Sequence, residues 1–289
     1  MLEELVDKSV YILREVKAQF KHPCVLYSTG KDSTSMLNLI REAFFGEVPF
    51  PVIHLDTGHK FREIYQFRDE IAKLWNLDLK VAKSPQFGKL SPQTASHLEC
   101  CQELKTNTLR RAIEEWEYDA VIVSIRRDEH YMRNMERTVS PRDRDFKWNY
   151  LREKGESEEG DAPFEALQPV ELWDFVEKDF GDVHHVRVHP ILHWRELDIW
   201  LYIQNRNLPI NPLYRSSYVS KTYFSGKEPK RFRSLGCECC TSPVDSSAST
   251  IDEVVEELKT TQVAERAGRT QDKDSQQVMT RLRSMGYMD

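Results

Sequence analysis

The amino-acid sequence predicts an α/β fold, in which a Rossmann-like parallel sheet is flanked by helices and followed by a helical C-terminal extension. Short apolar runs alternate along the chain with stretches whose apolar residues recur at helical spacing. The runs contain few polar positions, which is typical of parallel strands buried on both faces. We expect one α/β domain over residues 1–235, and a segment over residues 236–289 that carries cysteines and a helical tail.

The elements of the first part follow in a regular order. An amphipathic helix opens the chain, and a strand then leads through a polar turn into the next helix. The strand, turn and helix pattern is then repeated. The predicted elements are a helix over residues 1–20, a strand over 24–27, a helix from 36, a strand over 50–55, a helix over 61–75 and a strand over 77–81.

The second part continues the alternation with longer gaps. Its predicted elements are a helix over residues 107–117, a strand over 120–124, an apolar run over 189–193, a helix over 194–203 and helical structure from 246 onward. Residues 152–164 are charged and rich in Gly and Glu, which predicts a surface loop or an active-site lid. Because the carboxyl ends of parallel strands meet at one edge of the sheet, we expect ligands to bind there.

The composition narrows the class of protein. The chain has 289 residues, of which 39% are hydrophobic, enough for a packed core. No apolar run approaches the roughly 18 to 20 residues of a membrane span, so we expect a cytoplasmic protein without membrane contact. The net charge of -6 provides no general attraction to nucleic acid. Only local basic stretches, such as residues 126–144 and 221–233, could bind it.

The turn after the first strand has the features of a phosphate-binding loop. Its residues precede a helix, whose free backbone N–H groups and positive end favour a phosphate, and Gly30 permits close approach. The loop lacks the first glycine of a Walker A motif. Its six residues are Ser28, Thr29, Gly30, Lys31, Asp32 and Ser33.

This Ser-x-Gly-Lys-Asp-Ser pattern resembles the PP-loop of the ATP pyrophosphatase superfamily. The resemblance implies an adenine nucleotide α-hydrolase-like fold, ATP bound by its phosphates at the loop, and an adenylylated intermediate formed as pyrophosphate leaves. Asp56, Thr57 and Gly58, which end the second predicted strand, match the second nucleotide segment of the same superfamily. A carboxylate at that position could orient Mg²⁺ or the ribose, and Mg²⁺ itself is implied by the ATP chemistry.

A narrower resemblance covers nearly the whole chain. Residues 50–68, 126–129, 136–137, 194–200 and 265–269 resemble the catalytic small subunit of bacterial sulfate adenylyltransferase, within the PAPS reductase family. By implication Lys31, Asp32, Arg126 and Arg127 are catalytic, and a GTPase large subunit is the partner. The arginines implied to face the oxyanion are Arg126, Arg127, Arg133 and Arg137. Arginine suits that role because its planar donors bind phosphate or sulfate oxygens in pairs.

The cysteines depart from that resemblance. Five of the six lie in two clusters, Cys100-Cys101 and Cys237-Glu-Cys239-Cys240, which in a cytosolic chain indicates metal or redox chemistry. The arrangement is similar to the [4Fe-4S] site of adenylylsulfate reductases, and this likeness implies Cys100, Cys101, Cys237 and Cys240 as ligands. Cys239 is then a candidate sulfur carrier. A four-thiolate zinc site and unmetallated thiols are the alternatives.

Two functions compete on these grounds. No cysteine follows Cys240, so a reductase that attacks sulfur with a C-terminal thiol is disfavoured. The cysteine clusters favour, as the leading hypothesis, an ATP pyrophosphatase that adenylates an acceptor oxygen for sulfur incorporation into nucleic acid, by DNA phosphorothioation or RNA thiolation, with a cysteine desulfurase as sulfur source. The alternative is a sulfate adenylyltransferase small subunit that forms adenylylsulfate. The acceptor and a homodimeric state are left open.

Overall fold

The computed structural model describes residues 1–91, 93–129, 133, 136–147, 183–224, 226, 228–261 and 265. Within these residues six strands form a central sheet and two short strands form a separate ribbon. The sheet strands are β1 (Pro23–Leu26), β2 (Val52–Asp56), β3 (Leu79–Lys83), β4 (Ala120–Ile122), β5 (Val139–Arg142) and β6 (His185–Val188), and the ribbon strands are β7 (Lys230–Arg231) and β8 (Val244–Asp245).

Eight α-helices are described with these strands. They are α1 (Leu2–Gln19), α2 (Lys31–Ala43), α3 (Arg62–Leu74), α4 (His97–Cys101), α5 (Thr108–Glu115), α6 (Glu196–Arg206), α7 (Ser216–Thr222) and α8 (Ile251–Thr260). Most elements predicted from the spacing of apolar residues lie within a few residues of these bounds. The predicted loop over residues 152–164 and the end of the predicted tail, residues 266–289, lie outside the described residues.

The sheet order is β3-β2-β1-β4-β6-β5, and only the edge strand β5 runs antiparallel, against β6. The predicted α/β class is therefore confirmed, with an antiparallel edge that the sequence pattern did not predict. The chain runs outward from β1 to β3 on one side and returns to β4 on the other. The loops after β1 and β4 consequently diverge from a topological switch point, where open α/β sheets bind their ligands.

The core lies on both faces of the sheet. One face packs against α1, α2 and α6, with Leu13, Leu37 and Trp200 buried completely. The other face packs against α5, whose Leu109 and Ile113 contact residues of β1 and β4. Apolar burial on two faces stabilises the strands by about 25 cal/mol per Å² of apolar surface removed from water.

The segment that contains the first cysteine pair is more helical than predicted. We predicted a helix over residues 107–117, but α4 leads through a π-helix, Gln102–Asn107, directly into α5. A π-helix is a wider turn and occurs often at functional sites. It follows immediately after Cys101. Among the described residues no helix is both long and apolar enough to cross a bilayer.

Candidate active site

The predicted phosphate loop lies between β1 and α2, at the switch point. Gly30 caps α2 without a side-chain hydrogen bond, so the first backbone N–H groups of the helix are directed toward the loop. Thr29, not Gly30, adopts the left-handed conformation, with φ of 69°, and is fully buried. The N–H of Lys31 donates to the hydroxyl of Tyr214, at 2.9 Å. Tyr214 was not identified from the sequence, because nothing in the local pattern marks it.

A buried charge cluster stands beside this loop. Lys31 Nζ lies 3.0 Å from Asp32 and also contacts Glu265, and Arg126 contacts Asp32, Asp128 and Glu265 through its three nitrogens. The side chains of Lys31, Arg126 and Glu265 are no more than 3% exposed. Carboxylates thus bring together Lys31 and Arg126, two of the three cations that the sequence assigned to catalysis, whereas Arg127 is not part of this cluster as described.

The charged groups of this cluster shift one another's pKa values. Burial alone lowers the pKa of Arg126, but the carboxylates of Glu265 and Asp128 outweigh burial and raise it. Burial likewise raises the pKa of Glu265, and the charges of Lys31 and Arg126 outweigh that effect and lower it. The Arg126 guanidinium and the Glu265 carboxylate therefore stabilise each other's charged forms.

The end of β2 forms the second wall. Asp56 Oδ1 accepts hydrogen bonds from the N–H of Gly58 and the hydroxyl of Tyr65, both at 2.9 Å. Gly58 has φ of +75°, and a Cβ added there would lie 3.1 Å from the ring of Phe87. The carboxylate of Asp56 thus shapes the turn that presents Thr57 to the cavity.

A cavity opens between these walls, at the edge of the sheet where open α/β folds bind nucleotides, and we name it the nucleotide cavity. The loop, the strand ends and the segment before Cys237 line it. Its charged and hydroxyl-bearing lining residues are Tyr27, Ser28, Lys31, Asp32, Thr57, Lys60, Lys105, Ser124, Glu129, Arg133, Tyr214, Ser234 and Glu265. Lys60 and Lys105 were not predicted as site residues. The structure identifies these two lysines as cavity residues, because the fold brings both of them to the edge of the sheet where the cavity lies.

The remaining predicted arginines are placed differently from one another. Arg133 pairs with Glu129, and both residues line the cavity. The guanidinium of Arg127 donates to the carbonyl of Glu136 at 2.9 Å and lies 3.4 Å from His193 Nδ1. The carbonyl of Arg137 accepts from His189 Nδ1 at 2.7 Å. The oxyanion role expected for these side chains remains a prediction.

The five clustered cysteines meet around one small cavity. Cys100 and Cys101 end α4, Cys237 precedes a 3-10 turn that contains Cys239 and Cys240, and all five line this cavity. Cys239 Sγ lies 3.5 Å from Cys240 Sγ, and His97 Nε2 lies 2.9 Å from Cys240 Sγ. Among the described residues, however, no three His, Cys, Asp or Glu side chains are arranged to hold a metal ion. The predicted [4Fe-4S] cluster is therefore not shown.

The thiols differ strongly in acidity. A hydrogen bond donated by Cys240, together with the charge of Lys105, outweighs burial and lowers the pKa of Cys237 well below 9.0. Burial and the neighbouring Cys101 raise the pKa of Cys100 to about 11. Thr57, Lys105 and Cys237 line both this thiol cavity and the nucleotide cavity. The two spaces share a wall.

Comparison with known proteins places this fold and site in a family. Residues 22–243 match the phosphoadenosine phosphosulfate reductase domain. The chain belongs to this family, and it is an ATP pyrophosphatase of the adenylyltransferase type that acts in sulfur metabolism. Its curated relatives are named as subunits of one particular enzyme within this family. Sulfate adenylyltransferase subunit 2 of Proteus mirabilis is 36% identical over 99% of this chain and 97% of the relative, and that of Bacteroides thetaiotaomicron is 37% identical over the same shares.

Solved structures support the fold independently. An FMN adenylyltransferase of Candida glabrata in complex with ATP superimposes with a TM-score of 0.55 at 15% identity, covering 93% of this chain and 87% of that one. A phosphoadenylyl-sulfate reductase of Candida auris gives a TM-score of 0.50 at 15% identity, covering 83% of this chain and 96% of that one. At this identity the likeness concerns the architecture alone.

These comparisons overturn the leading hypothesis from the sequence. Sulfur incorporation into nucleic acid, with a cysteine desulfurase as partner, is wrong, because curated relatives that match almost end to end are sulfate adenylyltransferase subunits. That hypothesis was based on the cysteine clusters and not on the resemblance that covers nearly the whole chain. The scaffold follows the sulfate adenylyltransferase subunits.

Proposed function

We propose that this chain is the catalytic small subunit of a sulfate adenylyltransferase. In this reaction a sulfate oxygen attacks the α-phosphorus of ATP, the bond to the β-phosphate oxygen breaks, and adenylylsulfate and pyrophosphate are the products. The observation that carries the proposal is the nucleotide cavity at the switch point, which Lys31 and Arg133 line, in a chain similar over its whole length to such subunits. Arg126 is buried beside it and is joined to Lys31 through Glu265.

The geometry suggests which residues bind the pyrophosphate, the sulfate and Mg²⁺. The N-terminal end of α2 and Lys31 would hold the departing pyrophosphate, because backbone N–H groups and a cation stabilise negative charge as it develops there. Lys60, Lys105 and Arg133 line the remaining cavity and would balance the charge of the sulfate. Mg²⁺ would arrive with ATP, and Asp32, which lines the cavity, is the carboxylate placed to face it.

A partner subunit belongs to this proposal. Adenylylsulfate is a mixed anhydride whose formation from ATP and sulfate is strongly uphill, so the reaction needs a second source of free energy. The relatives are named as subunit 2 of their enzyme, which presupposes another subunit. We propose a GTPase large subunit as that partner.

The thiol cavity carries a separate part of the proposal. Four buried cysteines on one cavity are a donor set that suits a thiophilic metal centre, and Cys100, Cys101, Cys237 and Cys240 are the residues that would hold a [4Fe-4S] cluster. Anaerobic purification with iron, zinc and acid-labile sulfide analysis tests it. About four irons per chain, lost in Cys100→Ala and Cys240→Ala but kept in Cys24→Ala, is the expected result. Zinc, or no metal, would contradict it.

Exchange of labelled pyrophosphate into ATP tests the adenylyl transfer. Exchange should depend on sulfate, and Lys31→Ala should lower it by a factor of about 100 or more, because a preorganised cation at the departing pyrophosphate is lost. Lys259→Ala is the matched control, since this lysine lies on α8 and pairs with Glu256 at the surface. Exchange that proceeds equally without sulfate would refute sulfate as the acceptor.

A further inference from the structure

Glu265 is the feature of the nucleotide cavity that the adenylyl transfer leaves unexplained. Its carboxylate lies between two cations, with Oε1 on Lys31 Nζ and Oε2 on Arg126 Nη2. The side chain is 3% exposed and lines the cavity. A site for anionic phosphates would be expected to present these two cations to the ligand. Instead they are paired with a carboxylate from far along the chain.

The contact reproduces the way an oxyanion binds. A carboxylate offers two oxygens in one plane, as a phosphate or sulfate group does toward paired donors. Asp32 also contacts both cations, but it adjoins Lys31 in the sequence and belongs to the first turn of α2, so it is a fixed part of the loop. Glu265 is separated from Lys31 by 234 positions and from Arg126 by 139. It is the one of these two carboxylates that can leave without deforming the loop.

The coordination of Arg126 makes competition unavoidable. Its Nε contacts Asp128, its Nη1 contacts Asp32 and its Nη2 contacts Glu265, and the side chain is completely buried behind them. The Glu265 carboxylate occupies a position from which a phosphate group would contact Nη2 of Arg126 and Nζ of Lys31 together. Two anions that share this position repel each other in a poorly solvated site.

We propose that Glu265 is an anion placeholder, which holds Lys31 and Arg126 in position in the free enzyme and is displaced by a phosphate group of the nucleotide. The carboxylate compensates two buried cations that would otherwise destabilise the empty site. The phosphate replaces it when ATP or pyrophosphate binds. The proposal deepens the function proposed above at the same site, but it depends only on ATP binding and not on sulfate as the acceptor.

Calorimetric titration with inorganic pyrophosphate tests the proposal. Glu265→Gln keeps the shape but removes the competing charge, so we expect pyrophosphate to bind at least about tenfold more tightly than to the native protein. The matched control is Glu257→Gln, which alters another carboxylate in an arginine pair, 2.6 Å from Arg231 and not among the residues that line the cavity. Its affinity for pyrophosphate should equal that of the native protein.

A second variant covers a failure of the first to fold. Glu265→Asp keeps the charge but is one methylene too short to bridge both cations, so it should bind pyrophosphate more tightly than the native protein and less tightly than Glu265→Gln. Unchanged or weaker binding in either variant would overturn the proposal and make Glu265 a permanent brace. Tighter binding without sulfate-dependent exchange would leave the placeholder intact and refute only the sulfate reaction.

Discussion

The backbone N–H of Lys31 donates a hydrogen bond of 2.9 Å to the hydroxyl of Tyr214. This bond joins the first residue of α2 to a 3-10 turn that follows α6. The two residues are 183 positions apart in the sequence. Both residues line the nucleotide cavity. In the free protein the phenol therefore satisfies one of the backbone donors that a helix N-terminus leaves unpaired.

Removing this hydroxyl should destabilise the free protein more than the liganded one. In Tyr214→Phe the buried N–H of Lys31 loses its acceptor, which costs about 1 to 3 kcal/mol. A bound phosphate can accept from the same donor, so the rise in Tm on adding ATP should be larger than in the native protein. Tyr218→Phe is the control, because its hydroxyl donates to Glu63 at 2.7 Å instead. An unchanged ATP-induced shift in Tyr214→Phe would contradict this account.

Gly58 should not tolerate a side chain. Its φ of +75° is unfavourable for other residues, and an added Cβ would lie 3.1 Å from Phe87. We expect Gly58→Ala to lower the free energy of unfolding by about 1 to 3 kcal/mol and to weaken ATP binding, because the turn that presents Thr57 moves. Gly46→Ala is matched, since Gly46 has φ of +101° and nothing within 4 Å of the added atom. It should lose stability without losing affinity for ATP, as denaturant titration and calorimetry would show.

The buried pair of Arg233 and Glu196 should matter more than any surface pair. Arg233 Nη2 lies 2.6 Å from Glu196, and both side chains are no more than 8% exposed. Glu196→Ala leaves a buried guanidinium without this partner, so we expect a loss of about 3 to 5 kcal/mol in the free energy of unfolding. Glu256→Ala, which breaks an exposed pair with Lys259, should cost less than about 1 kcal/mol. Equal losses in urea titrations of the two variants would contradict the argument.

The charge cluster should make the free energy of unfolding depend on pH in the acidic range. Lys31 and Arg126 hold the pKa of Glu265 below its ordinary value of 4.5. A carboxylate whose pKa is lowered by folding contributes stability that is fully present above its unfolded pKa and is lost as pH falls through the folded value. From about pH 5 downward the urea midpoint of the native protein should therefore fall more steeply than that of Glu265→Gln, which has no carboxylate to protonate. Parallel decreases would show that Glu265 does not titrate in this way.

Local patterns predicted what depends on neighbours in sequence. The strand, loop and helix around residues 28–33 follow from apolar spacing and a Ser-x-Gly-Lys-Asp-Ser turn, so the fold class and the position of this loop between a strand and a helix could be predicted without a structure. The antiparallel edge β5 was not, because its direction depends on pairing with β6 across a long stretch of chain. The same holds for Tyr214 and Lys105, whose places in the cavity are set by tertiary packing.

The cysteines show how a strong local signal can mislead. The structure places Cys100, Cys101, Cys237 and Cys240 on one cavity, and their role as metal ligands stays a prediction. Their clustering did not predict the reaction, because relatives that match almost the whole chain are sulfate adenylyltransferase subunits. The weaker, distributed resemblance over the rest of the chain was the better guide to function, and the comparisons with known proteins agree with it.

The three carboxylates around Arg126 come from parts of the chain that are synthesised at very different times. Asp32 leaves the ribosome early, Asp128 near the middle, and Glu265 only after every described strand of the sheet is complete. Domains begin to fold from the N-terminus during synthesis. A nascent chain can therefore form its sheet while Lys31 and Arg126 still lack the Glu265 carboxylate, and the charge cluster is completed only after residue 265 has been synthesised.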